Sequence, residues 1–224
     1  MATMLSFACT DAAVQPAALQ RALSAAVGVT FNKISVDGDQ STNDTVLVLA
    51  NGAAGNRLLK PGHRDWPAFT AALTTALRTL ALKIARDGEG AKKLITVRVK
   101  GARSDAEADA AARAVANSLL VKTCWPGDYP NWGRIMDAVG YSSARVVEEK
   151  VDIHYDDLIA VKRGRSAGTP VAKLSAIQSK EEFTVTIDLH LGKGAGEVYT
   201  CDCSEEYVRI NVDYVRDMTG RAPT

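Results

Sequence analysis

The densest run of side chains able to do chemistry is Phe31-Asn32-Lys33-Ile34-Ser35-Val36-Asp37-Gly38-Asp39-Gln40-Ser41-Thr42-Asn43-Asp44-Thr45, small polar and acidic residues set between apolar segments. Clustered Asp37, Asp39, Asn43 and Asp44 could ligate a hard cation. A calcium loop, however, needs a glycine at its sixth position and a closing glutamate, and the spacing lacks both. A hydrogen-bonded acidic turn is the expectation. Cys201-x-Cys203 would put two thiols on one face of a strand, but no second pair or histidine cluster accompanies it, so no metal site is assigned. Cys9 and Cys124 are too few and too unevenly spaced to complete a disulfide framework. His63, His154 and His190 are scattered and support no Ser-His-Asp or Cys-His arrangement. Gly192-Lys193-Gly194-Ala195-Gly196 has the look of a phosphate cradle. The strand-like Glu197 to Cys201 follows it, not the helix whose N-terminus would hold the phosphate, so a hairpin connection is expected.

The elements that must carry these residues alternate between helix and strand periods. Phe69, Leu73, Leu77, Leu80 and Ile84 recur at helical spacing and predict a helix from Trp66 to Arg86, with Pro67 in its first turn and Asp87-Gly88 as its stop. Ser104 followed by Glu107 is a capping box that opens an alanine-rich helix from Asp105 to about Leu120, fit to lie close against a sheet. A shorter helix, Pro16 to Val27, stops at Gly28. Strands are predicted at Thr45 to Leu49, Leu94 to Val99, and Phe183 to Leu191, the last in strict alternation. Val208, Ile210 and Val212 also alternate, predicting a strand with Arg209, Asn211 and Asp213 on its other face. Arg163 to Pro170 reads as an exposed loop.

Length and charge bound the rest. A chain of 224 residues can bury a full core and is read as one unit, 1–224, with a possible subdivision into 1–122 and 123–224. With 27 Lys and Arg against 26 Asp and Glu, nothing in its charge points to nucleic acid or an anionic membrane. No apolar run approaches the roughly 20 residues a membrane span needs, and no signal peptide opens the chain, so a cytoplasmic protein is expected.

The block at residues 31–45 closely resembles the hallmark of the ornithine acetyltransferase (bifunctional glutamate N-acetyltransferase) family, in which VDGD and STNDT lie downstream of a cleavage threonine. Asp87-Gly88-Glu89-Gly90, Pro130-Asn131-Trp132-Gly133-Arg134 and Tyr207-Val208-Arg209-Ile210-Asn211-Val212-Asp213-Tyr214 match in the family's order, so the resemblance covers nearly the whole chain. It implies an α/β fold, a layered α-β-β-α sandwich of the DmpA-like kind with mixed sheets and helices on the outer faces. It implies autoproteolysis at Ala2-Thr3, with Thr3 as nucleophile of a β chain whose upstream α chain supplies the oxyanion donors. An N-terminal threonine carries its own α-amine as base, which a free hydroxyl lacks at neutral pH.

Further implications follow from the same resemblance. Acetyl would pass from N-acetylornithine to Thr3 and then to glutamate, in arginine biosynthesis, within an α2β2 heterotetramer. No cofactor is implied, although acetyl-CoA is a possible co-substrate. Glu89 and Asn211 match substrate-binding positions. A substrate-binding threonine or serine of the family falls here on Arg216, leaving Thr219 as a substitute only if the tail bends back, and Tyr129 stands where aspartate is usual, next to Asp128. With Met1 and Ala2 attached Thr3 has no free amine, and the chain alone is expected to be inactive. An N-terminal-threonine peptidase or amidase, with water as acceptor, and an inert half without its α chain are the competing readings.

Overall fold

The computed structural model describes residues 4–219, with side chains of the last helix described as far as Asp213. The chain forms two compact units, Met1–Ile34 with Gly38–Ile84, and Ser35–Asp37 with Ala85–Thr224. Residues 122 and 123 both fall inside the second.

In unit 1, β1 (Leu5–Thr10) and β3 (Thr45–Ala50) pair in parallel to make a two-stranded sheet, Phe7 opposite Leu47 and Cys9 opposite Leu49. Helix α1 (Pro16–Gly28) lies between them in sequence, and α2 (Trp66–Arg86) closes the unit. Met4, Ala18, Ala22, Phe31, Leu73, Leu77 and Ala81 are buried, and the helical spacing of Leu73, Leu77 and Ala81 shows why α2 forms where its periodicity predicts. By length and composition α2 is also long and apolar enough to cross a bilayer, against the expectation that no run would be. Its buried residues, Leu73, Leu77 and Ala81, share one side with half-buried Thr70, Thr74 and Arg78, while Ala68, Ala72, Thr75, Ala76, Thr79 and Lys83 are exposed. The sheet is open on one face: Leu5, Phe7, Leu47 and Leu49 are 45–60% exposed.

Unit 2 is built on a mixed seven-stranded sheet, ordered β2-β9-β4-β8-β5-β6-β7. The short β2 is Ile34–Ser35, and β4 is Leu94–Ala102. A β-hairpin of β5 (Asp152–Tyr155) and β6 (Leu158–Lys162) extends to β7 (Arg165–Ser166) inside the stretch expected to be loop. Strand β8 (Glu182–Asp188) runs parallel to β4 and antiparallel to β5, while β9 (Gly194–Cys201) runs antiparallel to β4. Ile95, Val97 and Val99 of β4 share one fully buried core with Val185, Ile187, Ile153, Tyr155 and Val198. Three helices cover that face: α3 (Asp105–Asn117) through its alanines, α5 (Trp132–Gly140) through Ile135 and Val139, and α6 (Val171–Gln178) through Leu174 and Ile177. The opposite face is polar, carrying Arg98 on Glu197 at 3.3 Å and Lys100 on Asp188 at 3.2 Å.

Four further expectations are corrected. The alanine-rich helix ends at Asn117, because Ser118 turns extended and caps a separate α4 (Leu119–Lys122) by accepting from Val121 N at 3.3 Å. Strand β8 stops at Asp188, ahead of Leu191, and His190 takes a φ of +48°. Gly192 to Gly196 is no hairpin: β8 and β9 lie on opposite sides of β4, so the segment crosses over. Its glycines are needed for contact, since a Cβ on Gly192, Gly194 or Gly196 would collide with Ala102, Ser104 or Asp109 respectively. Finally, residues 205–219 form helix α7 (Glu205–Thr219), where a strand was expected through Asn211.

Candidate functional site

Candidate residues occur in both units, and each unit is described by itself. In unit 1, Met4 directly follows Thr3. Its N–H donates to Asp44 Oδ1 at 2.8 Å, and its carbonyl accepts from Thr45 N, also at 2.8 Å. Ser41 Oγ adds a bond to Asp44 Oδ1 at 3.2 Å. The Met4 N–H on Asp44 holds its carboxyl below the usual range. The acidic turn thus clamps the backbone beside Thr3 through both of its hydrogen-bonding groups, as the expectation of a hydrogen-bonded turn requires. Ala2 and Thr3 themselves lie outside the described residues.

In unit 2, Glu89 and Asn211 meet. Asn211 Nδ2 donates to Glu89 Oε2 at 2.6 Å and to the Tyr207 carbonyl at 2.9 Å. Two acceptors fix which end of the amide is nitrogen and consume both its N–H bonds. What remains on offer from the exposed pair is Glu89 Oε1 and Asn211 Oδ1, both acceptors. A negative carboxylate beside an amide oxygen suits a substrate ammonium group and repels a carboxylate.

The chain positions this pair by a helix stop and a helix start. After α2 ends, Gly88 and Gly90 let the turn approach its neighbours: a Cβ on Gly88 would lie 2.9 Å from Val36 Cγ1, and Gly90 takes a φ of +65°. After β9, Ser204 precedes the acidic first turn of α7, Glu205 and Glu206, which suits the positive end of a helix. The helical wind places Asn211 one turn past Tyr207, with its amide back over that carbonyl, which no strand could do. Thr219 ends α7 eight residues on, about 12 Å along the axis. The chain does not bend back between Asn211 and Thr219, and Arg216 lies within the same helix.

Further polar contacts within unit 2 were unforeseen from sequence. Asp202, nearly fully buried, accepts the N–H groups of Lys92 and Lys93 on Oδ1 at 2.8 and 2.9 Å, and its Oδ2 has no partner among the described residues. Buried Lys122 donates to Thr200 Oγ1 at 2.8 Å and to the Cys201 carbonyl, and burial lowers its pKa. Burial pushes the Cys201 thiol up, so it is held as a neutral thiol, and no His, Cys, Asp or Glu cluster fit for a metal occurs among the described residues. Lys93 pairs with Asp128, which commits that carboxylate to an ion pair. Asn131 caps α5 by accepting from Arg134 N at 3.3 Å, while Arg134 reaches back to the Leu120 carbonyl at 2.7 Å. The signal for α7 was Ser204-Glu205-Glu206; nothing local marked Asp202.

The chain is thus an α/β protein with an exposed carboxylate–amide pair, Glu89 with Asn211. Comparison with known proteins narrows this: the chain belongs to the ArgJ family, whose profile matches residues 1–216. It is 52% identical over 215 residues to the arginine biosynthesis bifunctional protein ArgJ of Geobacter sulfurreducens, covering 96% of this chain and 55% of that protein. The corresponding protein of Geobacillus kaustophilus is 46% identical over 214 residues, with 96% and 52% covered. The chain therefore spans about half the length of the curated relatives it matches. A crystal structure of arginine biosynthesis bifunctional protein argJ from Bacillus halodurans has the same fold, with a TM-score of 0.90 at 46% identity over 95% of this chain and 100% of that one.

Proposed function

We propose that this chain is the nucleophile-bearing half of a glutamate N-acetyltransferase that moves acetyl from N-acetylornithine to glutamate in arginine biosynthesis, in the cytoplasm. The observation that carries the reading is the Glu89–Asn211 contact, made across 122 residues of sequence, in a chain that belongs to the ArgJ family. An acceptor-only pair is what the free ammonium of N-acetylornithine requires.

In the proposed cycle, cleavage of Ala2-Thr3 frees the Thr3 amine, which takes the hydroxyl proton as Oγ attacks the acetyl carbonyl. The amide C–N bond breaks, the proton passes to the leaving nitrogen, and ornithine departs, leaving an acetyl ester on Thr3. The glutamate amine then attacks the ester and Thr3 recovers its proton. Splitting acyl transfer through an ester makes two easier steps of one hard step. Oxyanion donors come from the remaining half of the protein, and that half is also the partner for the apolar face of β1 and β3. Acetyl-CoA is a second possible donor.

The test is acetyl transfer from N-acetylornithine to glutamate by the protein assembled from both halves. Thr3→Ala is expected to cut turnover by about a thousandfold or more, as loss of a nucleophile does elsewhere. Undiminished transfer by that variant refutes the mechanism, and acetate release without acetylglutamate makes the protein an amidase.

A further inference from the structure

The turn that carries Glu89 and the helix that carries Asn211 are joined in a closed circuit. Ser204 Oγ donates to the Gly90 carbonyl at 2.7 Å. Gly90 comes so close beneath α7 that a Cβ there would lie 2.6 Å from Tyr207 N. The Tyr207 carbonyl accepts from the Asn211 amide, and that amide returns to Glu89. Outside the circuit the Tyr207 hydroxyl donates to Asp37 Oδ2 at 3.1 Å, tying α7 to the VDGD segment. At the far end of the turn, Asp202 holds Lys92 and Lys93 by their backbone.

An exposed glutamate and an exposed asparagine are ordinarily free to sample many rotamers, and ordering them when a substrate binds weakens binding. Here the backbones of both are tied before any substrate arrives. We propose that Ser204 and Tyr207 are positioning residues that fix the spacing of Glu89 and Asn211 and so set the affinity for a substrate ammonium group. This rests on the acetyl-transfer reading above. Ser204 acts through the Gly90 carbonyl, and Tyr207 acts at two points: its carbonyl orients the amide, and its hydroxyl anchors the helix. Both work on the binding of the donor's ammonium group, so their loss falls on KM for N-acetylornithine more than on kcat.

The experiment uses the full-length protein and compares Ser204→Ala, Ser204→Thr and Tyr207→Phe, with Glu89→Gln as the reference. Removing one hydrogen bond at the site is expected to raise KM for N-acetylornithine about three- to tenfold in Ser204→Ala and Tyr207→Phe, with kcat within about twofold. Ser204→Thr, which keeps the hydroxyl, restores KM to within about twofold of the parent. Amide exchange of residues 88–91 and 205–211 accelerates in Ser204→Ala while β4 and β8 keep their protection. A raised KM in Glu89→Gln with unchanged KM in both Ser204→Ala and Tyr207→Phe overturns the positioning role and leaves the acetyl-transfer reading standing. An unchanged KM in Glu89→Gln removes the pair itself from substrate binding. Exchange at 88–91 that is unaltered in Ser204→Ala, or that accelerates equally in β4 and β8, overturns the positioning role whatever the turnover.

Discussion

The two units treat their sheets in opposite ways. Unit 2 lays Val97, Val99, Val185, Ile187 and Ile153 under three helices and leaves these side chains at 0% exposure. Unit 1 pairs two parallel strands and leaves Leu5, Phe7, Leu47 and Leu49 bare on one side, although parallel strands are ordinarily covered on both faces. The difference teaches where each unit draws its stability. Unit 2 holds its pair of site residues on a core complete in itself. Unit 1 holds the backbone beside Thr3 on a sheet with an exposed apolar face. A chain half as long as its relatives would show this contrast if the rest of the protein docks on unit 1.

The contrast can be broken most forcefully in the unit 2 core. Ile187→Ala is expected to cost about 2–5 kcal/mol in urea unfolding, since it opens a cavity in a fully buried layer. Gly90→Ala forces an alanine into a left-handed conformation against Tyr207, and should cost about 1–3 kcal/mol together with a raised KM for N-acetylornithine. Phe7→Ser, on the open face of unit 1, should change the unfolding energy of the chain by only about 0.5 kcal/mol. It should nonetheless weaken association with the remaining half, measured by pull-down or sedimentation. A loss from Phe7→Ser as large as that from Ile187→Ala would erase the distinction between the units.

The smallest effect concerns acid. Asp44 is held below its ordinary value of 3.8 in the folded chain, so the unfolded chain binds its proton first as pH falls. The stability that Asp44 contributes is fully present above 3.8 and is lost as pH drops through the lower folded value. The difference in Tm between the parent and Asp44→Asn should therefore shrink on acidification below that point. A difference that stays constant through the acid range would remove Asp44 as the clamp on Met4.

Several elements were legible in sequence because one period dominated. The apolar stripe of α2, with Asp87-Gly88 as its stop, located both ends of the helix, and the alternation in β4 reported a sheet with one covered face. Helix α7 was misread because residues 208 and 212, four apart, share a face in a helix and also in a strand. Ser204 with Glu205 and Glu206 was the competing signal, and the structure half-buries Tyr207 and Ile210 while leaving Val208 and Val212 exposed. The glycines at 192–196 were misread for another reason: their partners, Ala102, Ser104 and Asp109, are distant in sequence, and only the fold brings them near. The same holds at the site. Glu89 and Asn211 stood out individually by resemblance, but their contact and its support by Asp202, Ser204 and Tyr207 depend on β9 delivering one loop beside another.

The most direct measurement is the intact mass of this chain in the full-length protein after exposure to N-acetylornithine without glutamate. The account predicts a mass gain of one acetyl group, located on Thr3 by peptide mapping and discharged on adding glutamate. Acetyl found on another residue, or steady transfer to glutamate with no acetyl ever carried by the chain, would contradict it.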